Sequence, residues 1–563
     1  MNRYRTIFVA LALLSVGTSS PVNAGSSAVS SQHGMVVAAE RNAAKVGIEV
    51  LENGGNAIDA AVAVGYAMAV TYPAAGNLGG GGFMTIRLAD GRSSFIDFRE
   101  RAPLKATETM FQDDQGTVVP GRSTTSWLGV GVPGTVAGLE YALSKYGTKT
   151  RFQMIQPAID LAESGFVVSA GHQVLLSKNF ATFAADKPTA AIFLKDGKGW
   201  ERGGLLVQAN LGNSLRLIQK QGSDGFYNGK IAEEIVRASN EGGGILAAED
   251  FAAYRPRELT PITCRYRGYE IISAPPPSSG GVVLCEVLNI LSGYDLKKLG
   301  FQSPQSIHYI VEAMRHGFID RNSALGDPAF VKNPVEALLD PNYAAAIRST
   351  ILPKQAGDSK LLRPGVAPHE GQQTTHYSIV DKQGNAVSVT YTLNSYFGIG
   401  KVAGNTGILM NNEMDDFTAK VGVANSYGLV QGKANAIAPG KTPLSSMSPT
   451  IVTKSGKVFM VLGSPGGPRI ITAVLQTIIN VIDYNMPIDQ AVDAPRLHHQ
   501  WQPDKVSIEP NGLPSPTRVQ LEAMGYKIEV ESPWSHVAAI LREGNSLYGA
   551  NDSRGFDGVA VGY

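Results

Sequence analysis

Cysteine is almost missing: 563 residues contain only Cys264 and Cys285, too few for a disulfide framework. Neither has an adjacent histidine or basic cluster to depress a thiol pKa, which argues against a cysteine nucleophile. Both sit near apolar residues and are expected as buried, inert thiols, with one disulfide as the alternative after export. An excess of either charge is also lacking. Lys plus Arg number 49 against 48 Asp plus Glu, and without a long basic run an electrostatic nucleic-acid binder is excluded. Beyond the N-terminal segment no apolar run is long enough to span a bilayer. Internal repeats and low-complexity tracts are absent. What remains is a chain with 43% hydrophobic and 17% charged residues, enough for a sizeable core in one large α/β body or in two or three domains.

The N-terminus reads as an export signal. Arg3 and Arg5 precede the apolar stretch Ile7 to Val16, and Val22-Asn23-Ala24 supplies a small-x-small cleavage site. Removal of residues 1–24 is expected, and with no cysteine after the cut, lipid attachment is not.

The mature chain opens with two helices. Glu40 to Glu52 has an apolar face and stops at Asn53-Gly54-Gly55; Asn56 then caps Ala57 to Val70, apolar nearly all round and so buried. The glycine-rich run Gly76 to Phe83 lacks the Lys-Ser/Thr of a phosphate-binding loop. Close backbone packing is the expectation there, leading into a hairpin of Phe83 to Leu88 and Ser93 to Phe98 around Asp90-Gly91. That hairpin delivers Arg99, whose planar fork suits a carboxylate; Arg101 is read as solvent-exposed. His308 and His316 lie on a helix from Pro304 to Asn322, and His498-His499 on an extended segment. Neither pair has metal-ligand spacing, and all four are read as structural.

Lys354 to Gln373 is polar, rich in Gly and Pro, and without periodicity, as expected of an exposed linker. It runs into Thr374-Thr375-His376-Tyr377-Ser378, an alternating strand that turns at Asp381 to Asn385 and returns as Ala386 to Thr392. A cut before Thr374 would create an α-amine of pKa roughly 7.7–8.0 beside that residue's own hydroxyl, placing base and nucleophile in one amino acid.

Together with Thr392-Leu393-Asn394, Asn411 to Phe417, Pro443 to Pro449 and Gly463 to Gly467, this run resembles the small subunit of γ-glutamyltransferases. The resemblance covers essentially the whole mature chain. It implies the αββα sandwich of N-terminal-nucleophile hydrolases, an α/β fold built from two fragments of one precursor cut between Gln373 and Thr374. Residues 25–373 would form the large subunit and 374–563 the small one, associated as a heterodimer. It also implies Thr374 as nucleophile, Thr392 orienting it, and Gly466 and Gly467 as oxyanion donors. Arg99, Ser445 and Ser446 would take a glutamyl carboxylate; Asn394, Glu413 and Asp416 would take its ammonium. Tyr427 would lie in a lid over the substrate, between Val421 and Gly432. Glutathione and other γ-glutamyl compounds are the implied donors and water, amino acids or short peptides the acceptors, with no cofactor or metal. Two other readings stand beside this one: a glutaryl-cephalosporin acylase on the same scaffold, and a non-catalytic exported peptide-binding protein.

Overall fold

The computed structural model describes residues 27–362, 374–423, 425–426, 429 and 431–563. The export signal, Gln373 and Tyr427 lie outside them.

Fourteen strands form two seven-stranded sheets. In chain order they are β1 (Val29–Ser31), β2 (Met35–Ala38), β3 (Gly81–Arg87), β4 (Ser93–Asp97), β5 (Arg257–Leu259), β6 (Ile262–Tyr266), β7 (Tyr269–Ser273) and β8 (Thr375–Val380). Then come β9 (Ala386–Thr392), β10 (Thr450–Lys454), β11 (Lys457–Gly463), β12 (Ala538–Glu543), β13 (Ser546–Asn551) and β14 (Val559–Gly562). One sheet runs β1-β13-β12-β11-β10-β7-β6 and the other β14-β2-β8-β9-β3-β4-β5, antiparallel throughout.

The period-two alternation of strands sorts their side chains into layers. From β8 and β9, Tyr377, Ile379, Val387, Val389 and Tyr391 face a helical layer. Val380 and Ala386 instead join Ile272, Ile451, Val461 and Ile540 between the sheets. That inner layer is partly polar and tied across: Ser378 Oγ donates to Ala538 O and Ser388 Oγ to Leu462 O, each at 3.0 Å. On the outer face of the first sheet, Val452, Met460 and Leu462 pack with Leu288, Met314, Phe318 and Val474 from helices. The result is helix, sheet, sheet, helix.

Helix α1 (Arg41–Glu52) is capped by Glu40, and α2 (Ala57–Thr71) by Asn56 in a box with Asp59. Every residue of α2 is buried; its small side chains let Tyr377 and Tyr391 reach over and donate to the carbonyls of Ala61 and Gly65. The glycine-rich run packs as expected, since a Cβ on Gly80 would lie 2.0 Å from the carbonyl of Thr392.

Two expectations need correction. Cys264 of β6 and Cys285 of α3 (Gly280–Leu291) form a disulfide and are not free thiols; the β6–β7 hairpin and the following loop fold α3 back onto β6, a proximity that local sequence does not encode. Arg101 is half-buried, its guanidinium 5.1 Å above the Tyr254 ring. The histidines serve packing: His308 sits between Tyr526 Oη and Leu352 O on α4 (Pro304–Ala324), while His498 and His499 are buried. Among the described residues no cluster of three or more His, Cys, Asp or Glu is placed to hold a metal ion, and no helix is long and apolar enough to cross a membrane.

Candidate active site

Thr374 stands immediately before β8, 4% exposed, in the wall of a cavity. Thr392 at the end of β9, Asn394, Arg99, Glu413, Asp416, Ser445, Ser446 and Gly467 line the same cavity. Antiparallel pairing explains why the two threonines meet: Thr375 is opposite Tyr391, so the head of β8 and the tail of β9 lie side by side. Thr392 Oγ1 accepts the N–H of Asn394 at 2.8 Å, and the Asn394 amide is turned by donation to Asn412 O at 3.0 Å. Asn394 has φ of 69°, a left-handed conformation that asparagine tolerates better than most side chains.

Gly466 and Gly467 form the turn between β11 and α5 (Arg469–Ile482), with φ of 134° and 55°. Those values, and a Cβ on Gly466 falling 2.2 Å from Ser535 Oγ, account for glycine there. Neither backbone N–H donates to an acceptor among the described residues. Unpaired N–H groups in a buried turn are rare, and Gly467 of this turn borders the cavity that Thr374 lines.

The opposite pole is ionic. Glu413 to Asp416 form one turn of 3₁₀ helix, where side chains three apart eclipse. Both carboxylates therefore face Arg99, whose Nη1 meets Glu413 Oε1 and whose Nη2 meets Asp416 Oδ2. Glu100 lies behind, 3.9 Å from Arg99 Nη1 and fully buried. Burial pushes Glu100 up to about 7, against the opposing pull of Arg99. Burial raises Glu413 well above the usual carboxylate range, with Arg99 opposing and Glu100 and Asp416 adding. Asp416 is raised by burial too. Arg99 stays charged: burial disfavours its cation, but Glu413, Asp416 and Glu100 outweigh that.

The candidates of the sequence thus converge on this cavity, with Gly466 one residue outside its lining and Gln373 and Tyr427 outside the described residues. Sequence reasoning assigned Arg99 to a carboxylate ligand, whereas here its fork is occupied by two protein carboxylates. It missed Arg321, Leu429, Met447, Pro468 and Ile470, which also line the cavity. For Arg321 a signal existed: Ile307, Val311, Met314 and Phe318 mark the buried stripe of α4, and Arg321 falls on its next position.

The chain matches the family model described as gamma-glutamyltranspeptidase over residues 43–562. A glutathione hydrolase proenzyme of Pseudomonas sp. (strain A14) is 58% identical over 554 residues, covering 96% of each chain. The crystal structure of Helicobacter pylori gamma-glutamyltranspeptidase is similar at 46% identity and a TM-score of 0.57, over 57% of this chain and 93% of that one. A cephalosporin acylase from Bacillus halodurans is 27% identical with a TM-score of 0.84, covering 98% of this chain and 99% of its own.

Proposed function

From a chain that belongs to the gamma-glutamyltranspeptidase family, we propose an exported, self-processing glutathione hydrolase and γ-glutamyltransferase whose nucleophile is Thr374. The export signal is residues 1–24 and the mature fragments are 25–373 and 374–563. In maturation the Thr374 hydroxyl attacks the Gln373 carbonyl, the C–N bond breaks as the ester forms, and water hydrolyses the ester to leave a free Thr374 amine. In turnover that amine takes the hydroxyl proton as Oγ attacks the γ-carbonyl of the substrate. The Gly466 and Gly467 N–H groups receive the developing negative charge, a contribution of about 10²–10³ in rate per donor. The proton passes to the departing amine, leaving a γ-glutamyl ester on Thr374. Water then releases glutamate, or an amino acid or short peptide carries the γ-glutamyl group away.

The observation that carries this reading is the juxtaposition of Thr374, the Gly466–Gly467 turn and a buried ionic cluster of both signs in one cavity. A glutamyl head brings one ammonium and one carboxylate, so its arrival exchanges the internal Arg99–Glu413 and Arg99–Asp416 pairs for pairs with substrate. The carboxylates at 413 and 416 favour an amino-bearing head over the plain diacid of a glutaryl acylase. Thr374→Ala is expected to run as one uncut band, and sequencing of the shorter wild-type fragment is expected to begin at Thr374. Normal scission in that variant overturns the self-processing reading. Faster hydrolysis of a glutaryl than of a γ-glutamyl anilide would instead favour the acylase.

A further inference from the structure

A second cavity, of about 440 Å³, shares no residue with the one around Thr374. Its size falls within the roughly 300–1,000 Å³ of small-molecule sites. Every residue that lines it lies between Ala137 and Pro256, before the proposed cut. Tyr227 and Tyr254 are its buried aromatic part, 4% and 3% exposed, with rings stacked 5.5 Å apart at 7°. Ala137, Tyr141 and Pro256 extend that apolar wall.

The charges around it fall into two groups. Arg151 Nε meets Glu140 Oε2, and Glu140 Oε1 accepts from Tyr66 Oη at 3.1 Å, so this pair is satisfied within the wall. Asp224 and Arg255 are different: both are exposed, and neither has an ion-pair partner among the described residues. Asp224 Oδ1 accepts from the Asn228 amide at 2.8 Å, which leaves Oδ2 open. Arg255 Nη1 donates to the carbonyls of Ala252 and Tyr254 at 2.9 and 2.6 Å, which fixes the guanidinium at the rim and leaves Nε and Nη2 to donate elsewhere. One uncommitted carboxylate and one uncommitted, oriented guanidinium thus border one aromatic pocket. An ammonium suits the first and a carboxylate the second, while the tyrosine rings suit an apolar side chain.

The floor of this pocket touches the chain that carries Arg99. Tyr254 Oη donates to Arg99 O and Tyr227 Oη to Pro133 O, each at 2.9 Å. Tyr254 has no slack, since a Cβ on Gly134 would fall 2.0 Å from its hydroxyl. A ligand seated on the two rings therefore braces the Arg99 backbone from outside the catalytic cavity.

We propose that this pocket is an effector site for a zwitterionic α-amino acid with an apolar side chain, its ammonium at Asp224, its carboxylate at Arg255 and its side chain on Tyr227 and Tyr254. Occupancy is coupled to the donor site through Tyr254 and Arg99. Donor arrival exchanges the internal pairs of Arg99, and a ligand that braces Tyr254 against Arg99 O opposes this and raises KM. The coupling rests on the γ-glutamyl reading, whose acceptors belong to the same chemical class; the pocket itself does not.

The test is calorimetric binding of L-phenylalanine to the mature enzyme without donor, beside phenethylamine (no carboxylate) and 3-phenylpropanoic acid (no amine). Wild type is compared with Arg255→Gln, Asp224→Asn and Ser144→Trp, the last placing an indole in the cavity from an exposed position of its wall. Scission into two bands and thermal melting check folding. A dissociation constant on the order of 1 mM is expected for a ligand of this size. Arg255→Gln is expected to weaken phenylalanine about 10-fold and phenethylamine less than about twofold, the low end for a hydrogen bond to a charged group. Asp224→Asn is expected to weaken phenylalanine and to spare 3-phenylpropanoic acid. Ser144→Trp is expected to abolish this binding; should it fail to fold, the two rim variants decide. Phenylalanine held in the catalytic cavity is indifferent to all three positions, so equal binding by wild type and the variants overturns the site. The coupling is read as KM for γ-glutamyl anilide with and without phenylalanine in each protein: a rise of about fivefold is expected in wild type and none in Ser144→Trp. Bound phenylalanine with the same KM response in both proteins overturns the coupling. If wild type releases no chromophore from the anilide, the γ-glutamyl reading fails, while calorimetry still decides the pocket.

Discussion

At the scale of single residues, the site shows what burial does to charge. His376 follows Thr374 by two positions and lies between the sheets, its ring nitrogens bonded to Thr390 Oγ1 at 2.8 Å and Ser378 Oγ at 3.0 Å. A Cβ on Gly463 would fall 2.3 Å from the ring, so no larger residue fits opposite. Burial, with the neighbouring His536 adding, lowers His376 to about 3. The unfolded chain takes up this proton below about pH 6.5, while the native state refuses it until about 3. Its contribution to stability is therefore complete above pH 6.5 and shrinks as pH falls. By pH 5 the loss is about 2 kcal/mol, and His376→Gln, which cannot titrate, escapes it. In urea titrations the advantage of wild type over His376→Gln should narrow by about that amount between pH 7 and pH 5; a constant gap would mean that the imidazole is not neutral in the fold.

Thr374, Gly466, Gly467 and the Arg99–Asp416 region were legible as strings because each is a compact local signature. The pairing of Arg99 with Glu413 and Asp416 was not: it depends on Glu413 to Asp416 closing a 3₁₀ turn, which a four-residue stretch does not announce. Arg321 stayed hidden because the side chains that hold it, Ser279 and Ser446, stand 42 and 125 residues away.

At the scale of elements, the features read correctly were those with local causes. Asn56 with Asp59 starts α2, the β3–β4 hairpin turns where Asp90-Gly91 stands, and β8 and β9 alternate visibly. The Cys264–Cys285 link stood only as the alternative to free thiols because it joins a strand to a helix through tertiary packing. It braces α3, the helix that begins immediately after Ser278 and Ser279, and so stiffens the scaffold behind the Ser445–Ser446 loop. Closing a loop of 21 residues constrains the unfolded chain by about 3 kcal/mol in the chain-entropy model. Replacing both cysteines by alanine is expected to lower stability by about that amount in denaturant melts; equal midpoints for oxidised wild type and the double variant would show that the link adds nothing.

At the scale of the molecule, the two proposed fragments do not correspond to two bodies. In one sheet β2 from the first fragment lies between β14 and β8 from the second, and β9 from the second pairs with β3 from the first. The other sheet mixes β1, β6 and β7 with β10 to β13. The fold class was readable from hairpins flanked by helices, but this interleaving was not, because strand order across a sheet is set by packing and not by spacing along the chain.

The woven strand order makes assembly a one-way event. A newly made precursor folds as a single chain, with the segment before Thr374 acting as a tether that brings β8 beside β2 at no cost in translational freedom. If the proposed cut before Thr374 severs that tether, a denatured molecule must find its other half by diffusion. Recovery of cut enzyme after removal of urea should therefore rise with protein concentration, while uncut Thr374→Ala should refold to the same yield at every dilution. In the proposed cut form, memory of the native topology resides in a covalent connection that only the precursor possesses.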